Sequence, residues 1–363
     1  MTTAFHHDSQ SGLAVLQVAL SAAILCCGAL RAPAQDLSAL PDYKPTQQVS
    51  GAIRSWGSKQ MGTILRAWEE GFRKYQPGIC FSDKLMGTPT AQFGLHEWVA
   101  DLAVSTRKIY PYEYYGVYRR SLMYPVEIAV ATGSYGVPGK SPALAVFVNK
   151  QNPLSHLTLE QLDGIYGAHR TGGWQDLTWN QSVARGKDKD IRTWGQLGLK
   201  GKWANQPIHI YGPPGIYPGG ITFFQTRVFG GADSWAEPLQ EYADRRKMMQ
   251  VLSRDPYGIA YAALSYRTPE VKPLALADRS GGPFLAISRN TVADRSYPLS
   301  RFAYIYFAPD RPNGDPAVPR VSPKIREFLL YILSRQGQED VLREGGYLPL
   351  TATAAAEQRK KLR

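Results

Sequence analysis

Several turns in this chain bring hydroxyls, amides and glycines to the point where a strand pattern gives way to a helix pattern. Gly57-Ser58-Lys59-Gln60-Met61-Gly62 follows the alternating run Ala52–Trp56 and precedes Ile64, Leu65, Trp68 and Phe72 at helical spacing. Met86-Gly87-Thr88-Pro89-Thr90 follows the strand-like Ile79–Ser82 and leads into a short helix ending near Trp98. Gly219-Gly220 lies between the strand Pro207–Tyr211 and a helix beginning near Phe223. The first turn of a helix carries N–H groups without intrahelical partners and the positive end of the macrodipole. Such turns bind anions without charged side chains, although a single strand–glycine–helix unit is a weak signal. Asp101-Leu-Ala-Val-Ser105-Thr106-Arg107 adds a hydroxyl that can donate or accept and a guanidinium that can fork onto an anion. Two alternatives stay open. Thr88 or Thr90 could serve as a helix cap, and Arg107 could brace the fold instead of meeting a ligand.

Bond-breaking chemistry has no comparable support. His96, His156, His169 and His209 lack metal-ligand spacing, and neither a Gly-x-Ser-x-Gly elbow nor a Walker-type loop is present. The expectation is a non-enzyme without cofactor or metal. The net charge of +12 favours anionic partners, but the basic residues are scattered apart from Arg359-Lys360-Lys361. No zinc-finger or aromatic–basic helix pattern points to nucleic acid.

The elements that must position these turns read as α/β. Ala145–Val148 is a run of β-favouring residues, stopped by Asn152-Pro153. Thr158 and Gln161 are spaced as a capping box, Leu159, Leu162 and Ile165 form one apolar face, and Gly167 can close the helix. A further strand is expected at Val126–Ala131, and helices at Leu239–Leu252 and Ile325–Arg335. Tyr110–Tyr118 reads as an aromatic loop, Gly133–Ser141 as an insertion, and Cys80 as a buried small hydrophobe.

The wording of these segments resembles the periplasmic phosphate-binding proteins of ABC importers, the PstS-like group. Asn149…Asn152-Pro153-Leu154…Leu157-Thr158-Leu159…Tyr166 matches a crossover strand and the helix opening the second lobe. Asp101–Arg107, Asp255–Tyr261, Tyr297-Pro-Leu-Ser-Arg301 and Gly345–Leu350 extend the match over about residues 53 to 350. The resemblance implies a two-lobed periplasmic-binding-protein fold of type 2, with two crossover strands forming a hinge. It implies a phosphate or other oxyanion as ligand and an ABC permease as partner. It places Ser58, Gln60, Met61, Thr88, Thr106, Arg107, Gly219 and Gly220 on ligand-contacting positions.

The chain departs from that pattern at its fourth loop. Pro213 stands where the family carries an arginine, and Pro218-Gly219-Gly220 replaces Ser-Gly-Thr. Thr106 stands in place of an aspartate that tests for the proton of hydrogen phosphate. Weakened phosphate binding is therefore expected. The alternative is a scaffold diverged to bind an acidic polymer or envelope partner.

The expected organisation is a signal peptide over 1–34, a linker over 35–48, lobe I over 49–143, lobe II over 144–258, lobe I again over 259–350, and a disordered basic tail over 351–363. Crossings are expected near Ala143–Asn149 and Gly258–Tyr261. Leu13–Leu30 is apolar and Ala32-Pro33-Ala34 fits a small-x-small cleavage site, so a periplasmic or secreted monomer beginning at Gln35 is expected. A minimal membrane anchor is the competing reading of that segment. Cleavage after Ala34 would remove Cys26 and Cys27, leaving Cys80 and no internal disulfide.

Overall fold

A computed structural model of the protein describes residues 36–213, 219–310 and 320–362. The expected signal segment with its cleavage point, and Pro218, lie outside them. Among the described residues no helix is long and apolar enough to cross a membrane.

The first lobe opens with β1 (Gly51–Gly57), α1 (Gly62–Arg73), β2 (Ile79–Lys84), α2 (Pro89–His96), β3 (Leu102–Ser105), α3 (Pro111–Ser121) and β4 (Val126–Thr132). The second contains β5 (Leu144–Asn149), β6 (His156–Thr158), α4 (Leu159–Tyr166), β7 (Gly173–Gln175), β8 (Thr178–Asn180), β9 (His209–Gly212), α5 (Gly220–Val228), β10 (Leu239–Glu241), α6 (Arg245–Leu252), β11 (Gly258–Ala263), β12 (Val271–Pro273), β13 (Ala275–Ala277) and α7 (Arg289–Ala293). The chain then returns with β14 (Phe302–Phe307), α8 (Pro323–Ile332), α9 (Arg335–Glu344) and α10 (Ala352–Lys360).

The two five-stranded sheets run β2-β1-β3-β14-β4 and β10-β9-β11-β5-β12. β1 is parallel to β2 and β3, and β9 is parallel to β10 and β11. Parallel neighbours deliver their C-terminal ends to one edge, where ligands bind in open α/β sheets. This is why Ser58, Thr106 and Pro213, each just past a strand end, are brought to the edges of their sheets. The apolar face of α1 (Ile64, Leu65, Trp68, Phe72) packs with Ile53, Leu102 and Val104 in the first core. The capping box of α4 forms as its spacing requires, with Gln161 N–H donating to Thr158 Oγ1 at 3.1 Å and Thr158 N–H to Gln161 Oε1 at 2.9 Å.

Several expectations are corrected. β5 and β11 both lie inside the second sheet, paired antiparallel from Ile259↔Val148 to Ala263↔Leu144. All residues of both strands are buried, so neither can serve as an exposed crossing. Residues 259–299 stay with the second lobe, whose core includes Leu274, Leu276, Val292, Tyr297 and Leu299. The crossings are instead residues 133–143 and 299–301, side by side. Gly133 N–H donates to Arg301 O at 2.7 Å and Leu144 N–H to Leu299 O at 3.1 Å.

The expected linker is packed rather than free. Leu37, Leu40 and Tyr43 join the first core, and Tyr43 Oη donates to buried Glu327 at 2.8 Å. The expected disordered tail contains the helix α10, capped by Thr351, with Ala354, Ala355 and Leu362 buried. Its small apolar residues pack, while the charges stay at the end. The expected loop at Tyr110–Tyr118 is α3, with Glu113, Tyr114, Val117 and Ser121 on its inner face. Tyrosines on its outer face mask that period. β10 and α6 divide the expected helix at Leu239–Leu252, because Asp244 caps a new start by accepting from Arg246 and Lys247 N–H. Cys80 is exposed on the edge strand β2.

One buried acid makes stability depend on pH. Glu69 on α1 is 6% exposed, and its Oε1 has no hydrogen-bond partner. Burial, together with Asp83, pushes its carboxyl from 4.5 up to about 8. Between those values the folded chain holds a proton that the unfolded chain has released, so this group's contribution to stability falls as pH rises. Glu69→Gln is expected to stabilise the protein at pH 8 by about 1–2 kcal/mol and to change little at pH 5. Urea unfolding at both pH values checks this. An equal effect at both would disprove a protonated native Glu69.

Candidate functional site

The two lobes face each other across loops that follow β1, β2 and β3 on one side and the start of α5 on the other. Ser58 is buried, and its N–H donates to Val104 O at 2.8 Å, fixing the first turn beneath β3. Gln60 is exposed toward the cleft, and its carbonyl accepts from Tyr347 Oη at 3.1 Å. Met61 is fully buried in the first core, and its N–H donates to Ser58 O at 3.2 Å. Met61 therefore shapes the turn from beneath, with its side chain turned away from the cleft.

Thr88 opens α2 without making a side-chain cap bond, while Thr90 Oγ1 donates to Gly87 O at 2.8 Å. The Thr88 hydroxyl instead lies 3.4 Å from that of Thr106. The structure thus brings Thr88 and Thr106 together as a hydroxyl pair. Thr106 is buried, and its carbonyl accepts from Ser141 Oγ at 3.4 Å. The residues 133–141 therefore border the first-lobe loops.

Arg107 is held by its own lobe. Its guanidinium forks onto Glu113 at 2.7 and 2.9 Å, and a further bond runs to Lys108 O at 2.9 Å. It also lies 4.3 Å from the centre of the Tyr110 ring. Its charge is paired with Glu113, an arrangement that suits a brace for the loop that presents Thr106, while its buried Nε has no partner.

On the facing lobe, Gly219 has φ +103°, a backbone angle that favours glycine, and Gly220 begins α5. The hydroxyl of Thr222 in the first turn of α5 is hydrogen-bonded to Tyr110 Oη, a direct contact between the lobes. Pro213 lines the same cleft.

An arginine from another part of the chain lines the cavity beside Pro213. Arg301 ends the second crossing and is 6% exposed. Its Nη1 donates to Gly219 O at 3.1 Å, and its Nε has no partner. Among the described residues it makes no ion pair. Burial lowers its guanidinium to about 10, so it is still charged at neutral pH. Arg301 lines two cavities. One, of about 250 Å³, includes Thr106, Arg107, Thr222, Tyr297 and Ser300. The other, of about 350 Å³, includes Gln60, Lys140, Pro213 and Gly220. Neither presents an aspartate or glutamate among its described residues.

A buried, unpaired guanidinium beside a helix start is an arrangement suited to an anion. Sequence reasoning gave Arg301 only a scaffold role, because its lack of an acidic partner is a property of the folded chain. Of the sequence-derived residues, Thr106, Arg107, Gln60 and Gly220 line these cavities, Gly219 is bonded to Arg301, and Thr88 is joined to Thr106. Ser58 and Met61 support the first turn. Among the described residues no cluster of three metal-ligating side chains occurs.

Comparison with known proteins places the chain in a family. The family model described as the PBP superfamily domain matches residues 43–336. The phosphate-binding protein PstS of Pseudomonas aeruginosa is 31% identical over 354 residues, covering 96% of this chain and 98% of that protein. Protein SphX of Synechococcus elongatus is 25% identical, covering 87% of this chain and 84% of that protein. Among solved structures, an ABC-type phosphate transport receptor from Vibrio cholerae superposes with a TM-score of 0.52 at 18% identity, over 82% of this chain and 99% of that one. PstS from Borrelia burgdorferi gives 0.53 at 15% identity, over 83% and 100% respectively. At those identities the structures speak for the fold alone. The chain belongs to the PBP superfamily, within the family of the phosphate-binding proteins PstS.

Proposed function

We propose that this protein is an extracytoplasmic solute-binding protein that takes up phosphate or a closely related oxyanion between its lobes and delivers it to an ABC importer. The relatives' names support the ligand and the kind of partner. The observation that carries the reading to this chain is Arg301, a buried guanidinium with no acidic partner at the start of α5. Thr88, Thr106 and the N–H groups of the first turn of α5 supply the remaining donors. In this reading Ala34 is the last residue of a cleaved export signal, and the crossings at 133–143 and 299–301 act as the hinge. Closure around the ligand then distinguishes the loaded form from the empty one.

Because no aspartate or glutamate lines either cavity among the described residues, fully ionised oxyanions are expected to compete with phosphate. Purified protein, freed of ligand by unfolding and refolding, should show a thermal-midpoint rise with phosphate and a comparable rise with sulfate. A ligand at a hundred times its Kd stabilises by about 2.7 kcal/mol. No shift with either anion, and no heat in calorimetry, would reject the reading. A shift with phosphate and none with sulfate would reject the account of selectivity while leaving the phosphate site standing.

A further inference from the structure

A cavity of about 250 Å³ is lined by Thr106, Thr222, Tyr297, Ser300 and Arg301. Four buried polar atoms on residues that line it have no hydrogen-bond partner: Arg107 Nε, Tyr297 Oη, Ser300 Oγ and Arg301 Nε. Tyr297 is fully buried and Arg301 nine-tenths buried, so bulk water does not satisfy them. Unpaired buried donors are rare in folded proteins, and each calls for an explanation. The wall also carries threonines, Pro298, aromatic rings and further cationic side chains. Phe223 lies under the Arg301 guanidinium, with its ring centre 5.6 Å away. Phe302 carries Arg295 at 4.0 Å from its ring centre. No acidic side chain faces this space among the described residues.

Orthophosphate held at Arg301, Thr106 and Thr222 would leave the hydroxyls of Tyr297 and Ser300 unpaired. Flat aromatic carbon together with hydroxyl donors suits a small hydroxylated organic group, which offers both C–H faces and oxygen acceptors. Resting on the oxyanion reading above, we infer that the site accepts phosphomonoesters of small polyols. The phosphate group lies against Arg301 and the start of α5. The polyol reaches Tyr297 and Ser300 and packs on Phe223 and Phe302.

Calorimetry on the purified chain, using sn-glycerol 3-phosphate, orthophosphate and glycerol as probes, tests this. Glycerol 3-phosphate is expected to bind at least about tenfold more tightly than orthophosphate, from two added hydrogen bonds worth about threefold to tenfold each. Glycerol alone should give no heat. Tyr297→Phe keeps the ring and removes only the hydroxyl, so folding is preserved. It should lower the ester-to-orthophosphate affinity ratio by about threefold to tenfold, and Ser300→Ala should do the same. Orthophosphate binding with no tighter ester binding overturns the inference and leaves the oxyanion site intact. Tight ester binding whose ratio neither variant moves overturns the assignment of the polyol to this cavity. Failure of both anions to bind removes the oxyanion reading as well.

Discussion

Arg301→Met is expected to give a protein that is more stable without ligand and nearly unable to bind phosphate. The guanidinium is 6% exposed and lies at the end of the second crossing. Its one hydrogen bond among the described residues, at 3.1 Å, runs to the carbonyl of Gly219, and no carboxylate balances its charge. A buried ion costs several kcal/mol unless it is matched, and a single carbonyl matches it in part. Methionine keeps much of the length and removes the charge, so the ligand-free protein should gain about 1–3 kcal/mol, a rise of a few degrees in thermal midpoint. With ligand the sign reverses. Charge-assisted hydrogen bonds contribute about 1.5–3 kcal/mol each, and losing two lowers affinity by about a hundredfold to ten-thousandfold. Arg301→Lys keeps the charge without the fork and should fall between the two. Differential scanning calorimetry with and without phosphate reads both effects. If stability and binding fall together, Arg301 is a structural residue of the hinge. If binding survives in Arg301→Met, the anion lies elsewhere.

This residue marks where the sequence stopped being informative. The strand–turn–helix around Thr158 was legible because its signals are local: a capping residue, its partner three positions on, and an apolar period. The turns at Ser58 and Thr88 are legible from local signals too, a glycine turn between a strand and a helix pattern, whereas the loop at Thr106 stands out only by its resemblance to the family. Whether Arg301 is paired depends on residues far from it in the chain, so its motif identified a strand and left its chemistry open. The crossing was misplaced on similar grounds. Gly258–Ala263 reads as a buried strand in either sheet, and only its antiparallel register with Leu144–Asn149 assigns it to the second. The segment 37–43 lacks periodicity, so the depth at which Leu37, Leu40 and Tyr43 pack comes from the surface provided by α1 and α8. The resemblance puts Met61 in a ligand-contacting turn, and the folded chain sends its apolar side chain into the core beneath that turn.

Glu113→Ala separates the two readings of Arg107, brace or anion ligand, and is expected to cost the protein much of its stability. Glu113 starts the first turn of α3 and accepts two bonds from Arg107, at 2.7 and 2.9 Å, and one from Tyr110 N–H at 2.6 Å. The side chains of the ion pair are 2% and 8% exposed. Removing one partner of a buried pair strands the other charge, at a cost of about 3–5 kcal/mol. Here it also leaves a helix-capping N–H without its acceptor, and it frees the segment that holds Thr106 and the Tyr110 contact to Thr222. Urea denaturation of Glu113→Ala should therefore show a loss of about 3–5 kcal/mol. Phosphate affinity should fall as well, because the loop presenting Thr106 is no longer fixed. The double variant Arg107→Met/Glu113→Leu removes both charges and should recover much of the lost stability, since a buried pair contributes little net stability compared with apolar residues that fill its space. If Arg107 were instead an anion ligand restrained by Glu113, the single variant would release it and bind phosphate more tightly than the wild type. A gain in affinity would thus overturn the brace, and a stability loss below about 1 kcal/mol would show that the pair is not buried as described.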